Sequence, residues 1–294
     1  MNRKQSILIS GSSGFLGGNF LLFALKNGYK VTDILRYKNK NNKKILELKK
    51  KYKNYKSIFF KDIKNLKKIN NKKFDFFINF ATFYSEKNSN ENLTKFVNSN
   101  ILFPVIVLNN LDFKIKKIIN LGSMQEFFNS NKYNPKNLYA SSKKAYEQFL
   151  EFYKAKNKKT LFYNIKLYET FSKFDKRKKI FSEIIKCYLN KKKFHLINNK
   201  LTLNVIHPDH VNDFILKILK NKNKTNQNVI LKNEKNINIL NLIKNLNKKL
   251  PKQIDYKVLS KIYDNKILNK YKNLKIIKIK YDIEKDLLDA LKKN

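Results

Sequence analysis

Two groups of residues in this sequence could do chemistry. The first is a glycine cluster. Four of the six glycines, Gly11, Gly14, Gly17 and Gly18, fall within eight residues. Glycines so placed let a backbone turn tightly and approach an anion, and a helix that follows turns its N-terminal N–H groups toward phosphates. The second group is Tyr139 with Lys143, and Ser123 upstream. Four residues make about one helical turn, so the ammonium would lie beside the phenol. A free phenol, with a pKa of about 10, exchanges protons poorly near neutrality, and a neighbouring ammonium favours its anion. A serine hydroxyl could orient the oxygen that takes the proton. Such a set suits carbonyl reduction, with hydride arriving at carbon and a proton at oxygen.

The Tyr-x-x-x-Lys spacing alone selects nothing. It recurs at Tyr52/Lys56, Tyr188/Lys192, Tyr271/Lys275 and Tyr281/Lys285 as well. Position separates them. Residues 6–10, 30–35, 57–60, 74–80, 115–121 and 160–167 read as strands, and 15–26, 43–51, 91–111 and 138–153 as helices. Only Tyr139 starts a helix after a fifth strand that ends in a serine. The glycine cluster sits between the first strand and the first helix. This alternation predicts an α/β fold, a doubly wound parallel sheet with helices on both faces. After about residue 168 the rhythm breaks. The expected division is a dinucleotide-binding domain over 1–167 and a smaller, substrate-binding C-terminal subdomain over 168–294, with 201–222 a candidate to pack back on the first.

The loop reads Gly-x-x-Gly-x-x-Gly, as GSSGFLG. In this form and context it resembles the extended branch of the short-chain dehydrogenase/reductase superfamily, the NAD-dependent epimerase/dehydratase family. The resemblance implies a Rossmann-type domain, with Ser123, Tyr139 and Lys143 as the catalytic set. It implies dinucleotide contacts from Gly11, Ser13, Gly14, Phe15, Leu16 and Gly17. Further contacts would come from Asp62 and Ile63 at the adenine, Phe80, Ala81 and Thr82 of an Asn-x-Ala-x segment, Asn100, and Tyr139 and Lys143 at the nicotinamide ribose. Phe103-Pro104 departs from the Gly-Thr usual after that asparagine. The family places an acid at the end of its second strand to select NAD(H). Here that position is Leu35, followed by Arg36, which favours NADP(H). NAD(H) stays open, because Asp33 lies two residues earlier on the same strand.

The resemblance also narrows the reaction. Dehydratases of the family carry Asp-Glu directly after the catalytic Ser/Thr; Met124-Gln125 stands here, which argues against dehydration. Residues 167–180 and 204–211 are similar to segments of CDP-abequose synthase-type nucleotide-sugar 4-ketoreductases. Thr82, Met124, Gln125, Thr170 and Arg177 would then line the substrate site, Arg177 either holding the diphosphate or serving as a plain surface charge. The expected activity is NAD(P)-dependent reduction of the 4-keto group of a nucleoside-diphosphate deoxysugar. The alternative is a nucleotide-sugar epimerase with bound NAD. The resemblance further implies a homodimer.

A rival of a different class rests on charge. The chain has 294 residues, 65 Lys plus Arg against 22 Asp plus Glu, and a formal charge of +43. A non-catalytic basic protein on a dinucleotide fold could bind RNA or an anionic membrane. Only three of the basic residues are arginine, however: Arg3, Arg36 and Arg177. Arginine is the favoured residue for phosphate and guanine contacts. Lysine and asparagine in excess, with glycine and proline scarce, match a compositional drift, which argues against nucleic acid as a partner. The hydrophobic fraction of 42% supports a packed core. Cys187 is the single cysteine, so no intrachain disulfide or cysteine-rich metal site is expected. His207, Asp209 and His210 read as a helix cap near Pro208, and no metal is expected. No apolar run approaches the ~20 residues of a membrane span, and a cytoplasmic location is the expectation.

Overall fold

The computed structural model describes residues 4–62, 66, 69, 72–111, 115–175, 177–221, 225–261 and 266–292. Its first half runs β1 (Ser6–Ser10), α1 (Phe15–Lys26), β2 (Lys30–Arg36), α2 (Lys43–Lys51), β3 (Tyr55–Phe60), β4 (Phe76–Asn79), α3 (Asn90–Phe96), α4 (Phe103–Asn109), β5 (Lys117–Ser123), α5 (Leu138–Lys156) and β6 (Leu161–Leu167). There follow β7 (Glu169–Thr170), α6 (Ile180–Leu189), β8 (Phe194–Leu196), β9 (Thr202–Leu203), β10 (Val205–Ile206), α7 (Pro208–Lys220), β11 (Gln227–Asn233), β12 (Ile237–Asn238), α8 (Ile239–Asn247), β13 (Tyr256–Val258), β14 (Lys275–Ile279) and α9 (Ile283–Lys292).

The chain divides into two units. The first holds 1–126, 135–166 and 212–229; the second holds 127–134, 167–211 and 230–294. Strands of the first unit lie in the order β11-β6-β5-β4-β1-β2-β3. Pairing is parallel at β1–β2, β1–β4, β2–β3 and β4–β5. This is the doubly wound order, reversing direction at β1 and β4, the place where such sheets bind ligands beyond their strand ends. Its core includes Leu8, Ile34, Phe77, Val107, Ile118, Tyr146 and Leu150. Lys117, at the start of β5, donates to the carbonyls of Ile218 and Asn221, both at 2.5 Å, and so caps the C-terminus of α7.

Local chemistry sets the helix ends. Asn137 caps α5, its side chain accepting from Ala140 N at 3.0 Å. Asn42 caps α2, whose last turn carries Lys49, Lys50 and Lys51, favourably placed at the negative end of the helix dipole. The single helix expected over 91–111 is interrupted. Between α3 and α4, Val97–Leu102 is π-helical. Pro104 lacks the N–H that would bond back to Asn100, and the chain widens just before it.

A polar row crosses the first unit's otherwise apolar sheet. Ser10 Oγ donates to Asn79 Oδ1 at 2.7 Å, Asn79 Nδ2 to Asn120 Oδ1 at 3.2 Å, and Asn120 Nδ2 to Asn164 Oδ1 at 2.8 Å. All four side chains are buried. Ser10 faces Asn79 and Asn79 faces Asn120 in register, so the row runs from the C-terminal ends of β1 and β4 to the middle of β5 and β6.

The second unit has its own core, including Phe171, Phe181, Phe194, Val205, Ile243 and Leu287. Short two-stranded pairs build it: β7 with β10 and β8 with β13, both parallel, and β9 with β12, antiparallel. β14 edges the C-terminal half of β11, Glu234 N donating to Ile279 O at 2.8 Å. Among the described residues, no helix is long and apolar enough to cross a membrane.

Asn120→Ala should strip partners from two buried amides and lower the unfolding free energy by about 2–4 kcal/mol. A urea unfolding curve reads this, and a loss below about 1 kcal/mol would mean the row does not hold the sheet.

Candidate functional site

The glycine loop joins β1 to α1. Gly11 has φ +80°, the left-handed region that side chains rarely adopt. A Cβ on Gly11 would lie 2.4 Å from Ala81 N, and one on Gly17 would lie 2.3 Å from Gly11 O. The loop is thus packed against the chain leaving β4, with no room for side chains. Ser13 and Gly14 are exposed at its crest, and Phe15 and Leu16 are half-buried behind it. Gly14 occupies the N-cap of α1, no side chain caps that helix, and its first turn has no acid. The positive end of the α1 dipole therefore meets no acid of the helix itself, a setting that suits an anion. These residues fit the pyrophosphate of a dinucleotide.

Beneath the loop lies Asp33, 0% exposed on β2. The Ser12 hydroxyl donates to its carboxylate, and Tyr55 Oη donates to the same oxygen at 3.1 Å. Burial pushes this carboxyl up to about 7, against the two hydrogen bonds. Asp33 is a support for the loop and is shielded from any ribose. Leu35 is buried as well, whereas Arg36 is exposed and donates from Nη2 to Ser99 Oγ at 3.2 Å.

The three residues expected to act lie in the first unit. Ser123 ends β5, and Tyr139 and Lys143 occupy the first turns of α5. All are buried, Lys143 to 4% exposure. Thr82 and Ser123 lie near enough to the Tyr139 phenol to favour its ionised form. The ring of Tyr84 meets that of Tyr139 edge-on, with centroids 4.8 Å apart. Burial, and then the charge of Glu126, hold the phenol above its ordinary range, while Thr82 and Ser123 pull it down. Pairing with Lys143 alone would predict a lowered phenol; loss of water dominates instead. Burial also brings the Lys143 amine down to about 8, with Glu126 opposing.

Asn100 organises this corner. On the π-helical segment, its Oδ1 accepts from Phe83 N at 2.6 Å and Thr82 Oγ1 at 3.2 Å. Its Nδ2 donates to Phe83 O at 3.0 Å and to Ser142 Oγ at 2.8 Å. The amide's two donors and two acceptor sites are all in use. Asn100 therefore ties the segment after β4 to α5 from within the protein, where direct contact with a cofactor was expected.

Met124 is buried directly after Ser123. Gln125 is held by Asn137 Nδ2 at 3.3 Å and reaches Tyr84 Oη at 3.5 Å. Phe80 is buried and Ala81 half-buried beside Gly11. Asp62 is exposed just past β3, and Ile63 lies outside the described residues. In the second unit, Arg177 donates from Nε to Asp175 Oδ1 at 2.9 Å and from Nη2 to Thr170 O at 2.7 Å. With Asp175 Oδ2 2.7 Å from Nη2, the guanidinium is matched by a buried carboxylate. His207 Nδ1 accepts from Asp209 N at 3.2 Å, as a helix cap does. Among the described residues no group of three or more His, Cys, Asp or Glu side chains could hold a metal ion.

Sequence reasoning missed Glu126, Lys166 and Glu147, which form a buried charge cluster beneath Ser123. The available signal was Lys166 within the largely apolar strand Leu161–Leu167.

The model of the NAD dependent epimerase/dehydratase family matches residues 7–233. No curated protein matches the sequence. Among solved structures, the UDP-glucose-4-epimerase of Stenotrophomonas maltophila, with bound NAD and formylated UDP-arabinopyranose, superposes with a TM-score of 0.79 at 12% identity, covering 98% of this chain and 97% of that one. The UDP-glucuronic acid 4-epimerase of Bacillus cereus in complex with NAD gives 0.78 at 17% identity, covering 98% and 99%. The UDP-N-acetylglucosamine 4-epimerase of Methanobrevibacter ruminantium M1, in complex with UDP-N-acetylmuramic acid, gives 0.76 at 17% identity, covering 98% and 97%. At these identities the likeness is one of fold.

The expectation of NADP(H) is corrected here. Both of these relatives that carry a dinucleotide carry NAD. The preference had been drawn from Arg36 as a ligand for a 2′-phosphate, but its guanidinium is directed to Ser99 on the neighbouring π-helical segment.

Gly11→Ala places a side chain at positive φ and into backbone. It should lower the unfolding free energy by about 3 kcal/mol, read by chemical denaturation; an unchanged midpoint would refute the packed loop.

Proposed function

The chain belongs to the NAD dependent epimerase/dehydratase family, and from that premise we propose that it is a nucleotide-sugar epimerase working with bound NAD(H). One observation carries the reading: Ser123 at the end of β5 and Thr82 lie near enough to act on the Tyr139 phenol, with Lys143 one helical turn further along α5. Gly11, Gly14 and Gly17, with the uncapped start of α1, would hold the dinucleotide's pyrophosphate. Bound NAD supplies a hydride acceptor that can give the hydride back, so the sugar undergoes no net redox change. Tyr139 takes the proton from the sugar hydroxyl and returns it to the keto oxygen. Lys143, as an ammonium, stabilises the phenolate that takes up the proton and that re-forms when the proton is returned. Ser123 and Thr82 fix the oxygen's position. The solved 4-epimerases that share the fold support a nucleoside-diphosphate sugar as substrate.

A second reading, net reduction of a 4-keto sugar of the CDP-abequose synthase type, is favoured by Met124-Gln125 and by the sequence of residues 167–180. The two readings differ in stoichiometry. An epimerase interconverts UDP-glucose or UDP-glucuronic acid with the C4 epimer without added dinucleotide, and acid releases NAD from the purified protein. A reductase consumes one NADH for each ketone. In either case Tyr139→Phe should lower turnover by about 10²–10⁴, followed by NMR of the sugar nucleotides; unchanged turnover would rule out the mechanism.

The homodimer is proposed on a separate observation. Leu93, Val97 and Leu102 around the π-helical segment, and Phe149 and Phe152 on α5, are 42–57% exposed. Several large apolar side chains on neighbouring helices suit burial against a second copy. Sedimentation velocity should find a dimer that Phe152→Glu converts to monomer; a monomeric parent protein would exclude it.

A further inference from the structure

Three buried charges stand beneath the Ser123–Tyr139–Lys143 set with no part in the mechanism above. Lys166 Nζ lies 2.6 Å from Glu126 Oε2 and 2.9 Å from Glu147 Oε2. The Lys166 and Glu126 side chains are each 1% exposed. An ion cluster this dry is a poor means of stabilisation, because the desolvation of each charge offsets much of the attraction. Its placement is more informative. Glu126 Oε1 accepts the Ser123 main-chain N–H at 3.0 Å, so the carboxylate grips the end of β5 at the residue carrying the active hydroxyl.

Gly122 makes the cluster possible. A Cβ there would stand 3.0 Å from Lys166 Cγ, 3.0 Å from Asn164 Oδ1 and 3.5 Å from Glu126 Oε1. The bare strand end gives the lysine stem room to pass beneath Ser123. Gly122 is also the last glycine of the chain, and its φ is not in the left-handed region, so space rather than backbone conformation explains it.

We propose that Glu126, anchored by Lys166, is a positioning residue for this site: it fixes the Ser123 main chain and supplies the buried anion that keeps the Lys143 amine charged. The proposal rests on the reading of Tyr139 and Lys143 given above. The groups acting on Lys143 support it. Burial lowers its proton affinity first, Glu126 from the turn after β5 raises it, and Lys166 from β6 lowers it to a lesser extent. On α5 itself, Tyr139 precedes it, Lys144 adjoins it and Glu147 follows, Glu147 being engaged with Lys144 at 3.3 Å and Lys166. Lys166 stays protonated between its two carboxylates. Burial raises the proton affinity of Glu126, while the Lys166 ammonium at 2.6 Å and the Ser123 N–H favour its anion, which acts through space on the second cation.

The sign follows directly. An anion raises the pH at which a nearby ammonium is lost. Replacing Glu126 by glutamine keeps the shape and leaves Lys166 paired with Glu147, but removes that anion, so Lys143 should lose its proton at lower pH.

The experiment reads Lys143 without substrate or added cofactor. In protein carrying ¹³C at lysine Cε, the resonance that titrates near pH 8 and disappears in Lys143→Arg reports this amine. Glu126→Gln should move its midpoint down by about one pH unit or more. Glu147→Gln, which breaks the other ion pair of Lys166, should move it far less. An unmoved midpoint in Glu126→Gln, or an equal shift in Glu147→Gln, overturns the proposal. Should Glu126→Gln not fold, Glu126→Gln/Lys166→Met removes both charges together. The midpoint should still fall, because Glu126 outweighs Lys166 at Lys143; a midpoint that stays or rises overturns the proposal. If Tyr139→Phe proves fully active while the Lys143 midpoint shifts as stated, the catalytic reading fails and the electrostatic one stands.

Discussion

Polar groups buried in an apolar sheet must find partners there, and much of the first unit follows from that requirement. Ser10, Asn79, Asn120 and Asn164 bond in a row across four strands, which leaves only Asn164 Nδ2 of these side chains buried without a partner among the described residues. A one-residue slip of any strand would turn its polar side chain to the opposite face and leave its neighbours unpaired. The row therefore locks the register of the strands at whose ends Gly11, Ala81 and Ser123 stand. The glycine loop and Ser123 stand in fixed relation because the layer below them admits no other pairing.

Above that row the same constraint acts on charge. Lys166, two residues beyond Asn164, finds Glu126 and Glu147; Asp33 finds Ser12 and Tyr55. Dehydration raises the Tyr139 phenol and lowers the Lys143 amine, so neither behaves as its free side chain would. A site in which burial opposes ionisation needs internal counter-charges placed with care. Asn100 supplies the mechanical counterpart. Widening of the helix ahead of Pro104 sets its amide between the Thr82 segment and α5, where it uses every hydrogen bond it can make.

Bulk charge and local charge behave differently in this molecule. The excess of 65 basic over 22 acidic residues is spread along solvated lysines. The few acids that are buried, Asp33, Glu126, Glu147 and Asp175, each hold a particular partner: a loop serine, a strand-end N–H, a strand lysine, an arginine. In so basic a chain a buried acid is the scarce component, and each one marks a place where geometry is being held.

The sequence by itself determined the doubly wound order, the loop between β1 and α1, and the place of Tyr139 at the start of a helix that follows a strand ending in serine. These features depend on local periodicity and on glycines that no drift toward lysine would create, so they can be read along the chain. It also carried the misleading sign at Arg36, because one residue's type says nothing about where its guanidinium goes. Tertiary structure alone decided that Arg36 turns to Ser99, that Asp33 lies sealed beneath the loop, that Asn100 is saturated from within, and that Glu126 and Lys166 meet under Ser123. Each of these pairs residues 17 to 63 positions apart. Such meetings depend on strand register and on the loss of water around each group, and neither is encoded in any short stretch of sequence.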